Sequence, residues 1–144
     1  MAPDAPTHSW HPRDEDDYEA ASAELKRRFA AWVADESVEV DPESAEPILH
    51  YKWNYLDGHL TRWTRDNLSQ LYLGVFPAKV MVEEGDLQRE MQEARAFLRF
   101  LSETGFLDEE SAPLDVLIEH LGRIEPEFEK NMGDPALFSM GKRL

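Results

Sequence analysis

Apolar side chains return at three- and four-residue steps over most of this chain, the spacing of amphipathic helices rather than strands. From Asp14 onward, Tyr18, Ala21, Leu25, Phe29, Trp32 and Val33 form one stripe, and acidic Asp14 to Asp17 stand in its first turn, where the helix dipole favours negative charge. A second stripe joins Leu87, Met91, Ala94, Phe97, Leu98 and Leu101 in a helix that starts near Glu83 or Asp86 and ends at Thr104. Gly105 then closes it as a left-handed cap. A third stripe starts near Ser111 or Pro113 and runs through Leu114, Leu117, Ile118, Leu121 and Ile124 to Phe128 and Met132. Pro126 inside it predicts a kink or a break, because proline lacks the N–H and its ring crowds the preceding turn. Thr64 suits the N-cap of a further helix through Leu68, Leu71, Tyr72 and Val75, with Trp63 placed to staple against Leu68. Pro77 is expected to end that helix.

The stretch from Ile48 to Thr64 supports two readings. Leu49, Tyr51, Trp53 and Tyr55 alternate, and Asp57-Gly58 is a favoured hairpin dipeptide, so a short β-hairpin near Asp57-Gly58 is one. The other is a helix from Pro47 that buries Ile48, Tyr51, Tyr55 and Leu56 and ends at Gly58. The helix is favoured, because a lone two-stranded hairpin is marginal in water and no other segment offers a partner strand. The expected fold is therefore mainly α: a single compact helical domain of four to six helices. Residues 1–13, rich in proline and poor in apolar side chains, read as a flexible tail. Residues 14–47 read as an N-terminal helix plus connector, and 48–144 as the main helical module.

Composition narrows the function classes. A length of 144 residues suits one domain. Thirty acidic against fifteen basic residues give a net charge of -15, which argues against a surface built to grip phosphate backbones. No general nucleic-acid binding is expected. No apolar run is long enough to span a membrane and the first residues lack the pattern of a signal peptide, so the protein is expected to be cytoplasmic, with no membrane association. There are no cysteines. The charge is uneven: 13 acidic and 4 basic residues lie in 1–50, 7 of each in 51–100, and 10 acidic and 4 basic in 101–144. The neutral middle also holds Tyr51, Trp53, Tyr55, Trp63 and Tyr72.

Catalytic signatures are missing: there is no phosphate loop, nucleophile elbow, paired-histidine zinc motif or dinucleotide fingerprint. No catalytic residue, cofactor or metal is assigned. His8 and His11 lie near Asp14 and Asp17, but without supporting ligands they imply adventitious metal affinity at most. His50 and His59 converge only if the chain turns back at Asp57-Gly58, and no carboxylate stands at a ligand spacing. His120 beside Glu119 reads as a surface pair. The carboxylate runs Asp14–Asp17, Glu83–Asp86 and Asp108–Glu110 fall at helix starts, where dipole and solvation explain them. The most individual segment is His50 to Thr64. Here Lys52, Trp53, Tyr55, Arg62, Trp63 and Arg65, with Lys79 further on, offer aromatic faces for stacking and cations for an anionic group. The competing reading, favoured on aromatic energetics, makes the tryptophans and tyrosines core and corner residues.

Several ordered motifs carry a resemblance. Tyr51-Lys52-Trp53, Leu56-Asp57-Gly58, Leu60, Trp63-Thr64, Phe76-Pro77 with Lys79-Val80, Phe97-Leu98 with Phe100-Leu101, and Met132-Gly133-Asp134-Pro135-Ala136 with Phe138, Met140 and Lys142 resemble a family of uncharacterised actinobacterial proteins. Similar segments occur toward the end of larger proteins of the kind named after a plasmid-encoded open reading frame. The resemblance covers about residues 48–144 and implies a shared module there, with 1–47 a more variable extension. It transfers no catalytic residue. Asn54 stands where a glycine is common in that pattern, and Ala78 where an arginine is common. The function expected from the sequence is a non-enzymatic protein-interaction module that meets a basic partner through acidic helical faces. Its alternatives are a small-ligand or nucleotide-binding protein or enzyme with its site around residues 50–79, and an acidic nucleic-acid mimic.

Overall fold

The computed structural model describes residues 10–79 and 86–136. Every regular element among them is helical, in the order α1 (Glu15–Asp35), α2 (Ala45–Tyr55), α3 (Arg65–Ser69), a π-helical segment (Gln70–Val75), α4 (Phe76–Lys79), α5 (Leu87–Glu103) and α6 (Leu114–Met132). Helix α1 begins where its acidic run suggests: the Asp14 carboxylate caps it by accepting from the Asp17 N–H at 2.8 Å. Its whole stripe is buried, and Phe29 meets Phe97 and Phe100 of α5 edge-on. Helices α5 and α6 pack together, and α6 also covers α3, the π segment and α4. The buried side chains of all these elements form one core, to which α1 contributes as fully as the later helices do.

Five sequence expectations change. No hairpin forms at Asp57-Gly58, and no strand occurs among the described residues. Gly58 (φ 79°) instead donates its N–H to the Lys52 carbonyl at 3.0 Å and turns the chain out of α2. A Cβ at Gly58 would lie 3.1 Å from Trp53 Cε3, so both the backbone angle and the space demand glycine. Helix α2 starts at Ala45, ahead of Pro47, which is tolerated in a first turn whose N–H groups have no helical acceptor. The face it buries is Ala45, Ile48, Leu49 and Lys52, while Tyr51 and Leu56 are half-buried and Tyr55 is 51% exposed.

Pro77 does not end its helix. The preceding turn widens into the π segment, and the Leu73 carbonyl, which the missing Pro77 N–H would have met, accepts from Asn131 Nδ2 of α6 at 3.0 Å. Nor does Pro126 break α6, which is continuous through it. Pro126 and Gly122, the residue four before it, are both exposed, so the carbonyl deprived of a partner meets water. The tail reading does not extend to Trp10 and His11. Trp10 is buried against Phe106, with ring centroids 5.4 Å apart, and its carbonyl accepts from the Leu60 N–H at 2.9 Å. Residues 1–9, with His8, and 137–144, with the basic pair Lys142-Arg143, lie outside the described residues.

Candidate functional site

The aromatic and basic residues singled out in the sequence separate into different environments. Lys52 is fully buried. Its Nζ donates to Asp57 Oδ1 at 2.6 Å and to Asn67 Oδ1 at 3.0 Å, and lies 4.7 Å from the Trp63 ring centroid. Asn67 Nδ2 donates to Asp57 Oδ2 at 3.3 Å, and Asn67 closes a capping box with Thr64 at the start of α3. Burial pushes the Lys52 ammonium below its ordinary pKa, against the opposing pull of Asp57. Burial alone would raise the Asp57 carboxyl. The hydrogen bonds from Lys52, the His59 N–H and Asn67, together with the Lys52 charge, hold it net below its ordinary value. This is a closed polar knot that ties the end of α2 to the start of α3.

Trp63 belongs to the same knot. It is 1% exposed, and its Nε1 donates to the Leu60 carbonyl at 3.0 Å. Trp53 lies half-buried against Tyr18, stacked within 3° at 5.2 Å, and donates Nε1–H to Glu15 at 3.0 Å. Arg62 pairs with Glu110 at 2.9 Å and approaches Asp108 at 3.6 Å. Tyr55 and Lys79 face each other at 5.3 Å. Arg65 lies elsewhere, in a shallow pocket of about 120 Å³ with Val116, Glu119, His120 and Arg123. The stacking platform expected of Trp53, Tyr55 and Trp63 is therefore divided, with Trp63 enclosed in the core.

The histidines also pair differently from either expectation. His50 contacts Asn54 and Tyr51. His59 meets His11 through their Nδ1 atoms at 3.0 Å, and His11 Nε2 lies 2.9 Å from Asp108 Oδ2. With the Asp108 carboxylate accepting from His11 Nε2–H, one proton occupies the Nδ1–Nδ1 contact. Burial, then Arg62, holds the His59 pKa below its ordinary value, while the Glu110 N–H, His11 and Arg62 hold Asp108 low against burial. His120 bonds Ser69 Oγ at 2.8 Å, and Glu119 pairs with Arg123 instead. Among the described residues, no group of three or more His, Asp or Glu is arranged to hold a metal ion.

A cleft that the sequence did not single out lies between α1, the connector before α2, and α5. Its volume is about 930 Å³, and Lys26, Arg27, Asp41, Glu43, Glu46, Arg89, Glu90 and Glu93 supply its charges. Glu93 is only 8% exposed, and its carboxyl is pushed up to about 7 by burial, then by Glu90 and Asp41, with Arg89 and Ser44 opposing. Burial also raises Glu90. Ser44 is 6% exposed, and its Oγ sits beside Glu93, close enough to favour the ionised form but without completing a hydrogen bond. It stands at the N-cap of α2 but does not cap, because its backbone is already helical (φ -65°, ψ -16°). A sequence signal for this cleft existed. Glu93 falls four residues before Phe97 and seven before Phe100, on the apolar side of its helix.

Fold and site together define an acidic, all-helical domain with a carboxylate-floored cleft. No protein-family model, curated protein or solved structure matches the chain. No described helix is long and apolar enough to cross a membrane.

Proposed function

We propose that this protein is a non-enzymatic, cytoplasmic interaction module that receives a basic protein partner through the cleft between α1, α2 and α5. The observation that carries this reading is the cleft's lining of five carboxylate side chains against three cations, in a chain of net charge -15. Such a surface steers a positive partner toward itself and disfavours acidic ones. The polar knot around Lys52 supports the same reading indirectly, since it commits the most individual residues of the chain to the fold. The resemblance to the actinobacterial family assigns no competing activity.

Binding of a lysine-rich peptide, followed by fluorescence anisotropy at low and at moderate salt, tests the proposal. Salt-sensitive binding is expected. Absence of binding at low salt overturns it, as does turnover of a substrate by the purified protein. A nucleotide-binding protein would instead gain about 2.7 kcal/mol of stability at a hundredfold excess over its dissociation constant, which a thermal-shift series reads directly.

A further inference from the structure

We propose that Trp10 to Arg13 form a strap that a pair of histidines latches shut at neutral pH and releases in mild acid, uncovering Phe106. None of the residues involved lines the cleft between α1, α2 and α5, so the strap is a device separate from the proposed partner site. It precedes α1 and contains no regular secondary structure. Three contacts hold it. Trp10 packs on Phe106 at 5.4 Å, the Trp10 carbonyl accepts from the Leu60 N–H at 2.9 Å, and His11 lies between His59 and Asp108. Helix α1 does not depend on these contacts, because its cap comes from Asp14, beyond the strap. Pro12 has no N–H with which to tie the segment down. The strap can therefore lift while α1 stays wound.

The latch has a fixed capacity for protons. Asp108 accepts from His11 Nε2–H at 2.9 Å, which leaves the facing Nδ1 atoms of His11 and His59, 3.0 Å apart, to hold one hydrogen between them. In the neutral pair, His59 Nδ1–H donates to His11. One further proton is tolerated. His11 then donates from Nδ1 while His59 carries its hydrogen on Nε2, and the positive charge sits beside the Asp108 carboxylate. A second added proton is not tolerated. Both Nδ1 atoms become donors with no acceptor between them, on two cationic rings whose centroids are 4.8 Å apart.

The surroundings decide which ring refuses that proton. Arg62 from its own loop, Lys52 from α2 and His11 from the strap all face His59 with positive charge when protonated. The carboxylate that faces it, Asp57, is already bonded to Lys52 at 2.6 Å. On the other side of His11, the Glu110 N–H, His11 and Arg62 hold Asp108 low against burial, and Arg62 is itself paired with Glu110 at 2.9 Å. Asp108 therefore stays ionised while the latch titrates. The step that opens it belongs to His59, whose pKa burial and then Arg62 hold below the ordinary value. Opening grows as pH falls below about 6.5 and levels off below the folded His59 value. Phe106, uncovered when Trp10 leaves, also lines a groove of about 500 Å³ with Arg28, Trp32 and Phe100.

Amide hydrogen exchange on the intact chain, corrected for the pH dependence of the intrinsic rate, tests this between about pH 7.5 and pH 5. The Leu60 amide exchanges only when its bond to the Trp10 carbonyl is broken, so its protection reports the closed strap. That protection should fall below about pH 6.5, by at most about tenfold per pH unit. Leu98, buried in α5, should remain the more protected of the two, showing that the chain stays folded. His59→Gln and His11→Gln each leave one ring facing an amide that can donate or accept, so the contact cannot be overfilled with protons. Either variant should keep Leu60 protected at pH 5. Constant protection of Leu60 in the parent overturns the latch. So does an equal fall in His59→Gln, which assigns the step to another group.

Discussion

Replacing Glu93 with glutamine removes a titrating group while keeping the shape of the protonated carboxyl, so the variant reports what ionisation of Glu93 costs the fold. The side chain is 10% exposed, and its carboxyl is raised from 4.5 to about 7. A shift of that size corresponds to roughly 3 kcal/mol, at about 1.4 kcal/mol for each pH unit. The sign follows from which state holds the proton more tightly. The folded chain binds it better than the unfolded one, so folding is favoured relative to the ionised state below about pH 4.5, and this advantage is lost as pH rises toward 7. Glutamine does not titrate. The stability of Glu93→Gln minus that of the parent should therefore grow by about 3 kcal/mol between pH 4 and 8, with all other titrating groups cancelling in the difference. Urea denaturation by circular dichroism at closely spaced pH values measures it. A difference that stays flat across that range would refute the burial argument for Glu93, whatever the absolute stabilities are.

The polar knot predicts that Lys52→Ala costs about 3 kcal/mol, since it leaves a cavity and takes the Nζ donor away from Asp57 and Asn67, whose Oδ1 keeps only the Thr64 N–H. Asp57→Ala should cost a similar amount, about 3 kcal/mol, because it leaves the fully buried Lys52 ammonium without its counter-charge even though Asp57 itself is 40% exposed; urea denaturation checks both. Gly58→Ala and Gly105→Ala form a matched pair, both at φ 79° but with only Gly58 facing a neighbouring atom. Gly105→Ala should cost about 1 kcal/mol and Gly58→Ala at least twice that, so equal drops in melting temperature would contradict the role given to Trp53. The depressed His59 pKa favours the folded state when His59 is neutral, so its contribution is present above the unfolded value of about 6.5 and lost as pH falls through the lower folded value. Two protons cannot share the Nδ1–Nδ1 contact, and the Leu60 amide, bonded to Trp10, should shift in nitrogen–proton spectra over that window in the parent but not in His59→Gln. Asn131→Ala should cost about 1 kcal/mol by stranding the Leu73 carbonyl beside Pro77.

The stripes of α1, α5 and α6 were legible because their periodicity is long and their apolar faces meet one core. The face of α2 was not, because the reading ranked tyrosines above lysine for burial. Ala45, Ile48, Leu49 and Lys52 stand at the spacing of a single helical face, and period overrode side-chain class. Prolines misled in the same direction twice. Pro77 and Pro126 announce lost hydrogen bonds, but the sequence does not reveal that Asn131, nearly sixty residues away, replaces one, or that the other faces water. The aromatic segment was correctly singled out as unusual, while its role depended on contacts with Tyr18, Asn67 and Ser111 that no local pattern encodes. Glu93 does not stand out by its charge in the local sequence, because an acid among the three Glu and three Arg of α5 attracts no notice until the connector at Asp41–Ser44 closes over it.

Lys52 and Glu93 pose the same physical problem with opposite charge, and the chain answers it in two ways. Lys52 is surrounded by acceptors within five to fifteen residues of sequence, and its charge is met by Asp57, Asn67 and the face of Trp63. Such a group is complete, and any ligand would have to break the knot to reach it. Glu93 has neighbours of its own sign in Glu90 and Asp41, a shared guanidinium, and a hydroxyl that completes no bond. The Arg89 guanidinium at 3.5 Å does not offset the burial of Glu93, whose carboxyl holds a proton more tightly than an exposed glutamate does. A proton held near neutral pH is released readily when positive charge arrives, whereas a charge locked in a hydrogen-bonded pair does not respond. Recognition is therefore expected at the group whose electrostatics are unfinished, in the cleft, and not at the conspicuous aromatic motif that the fold has already used.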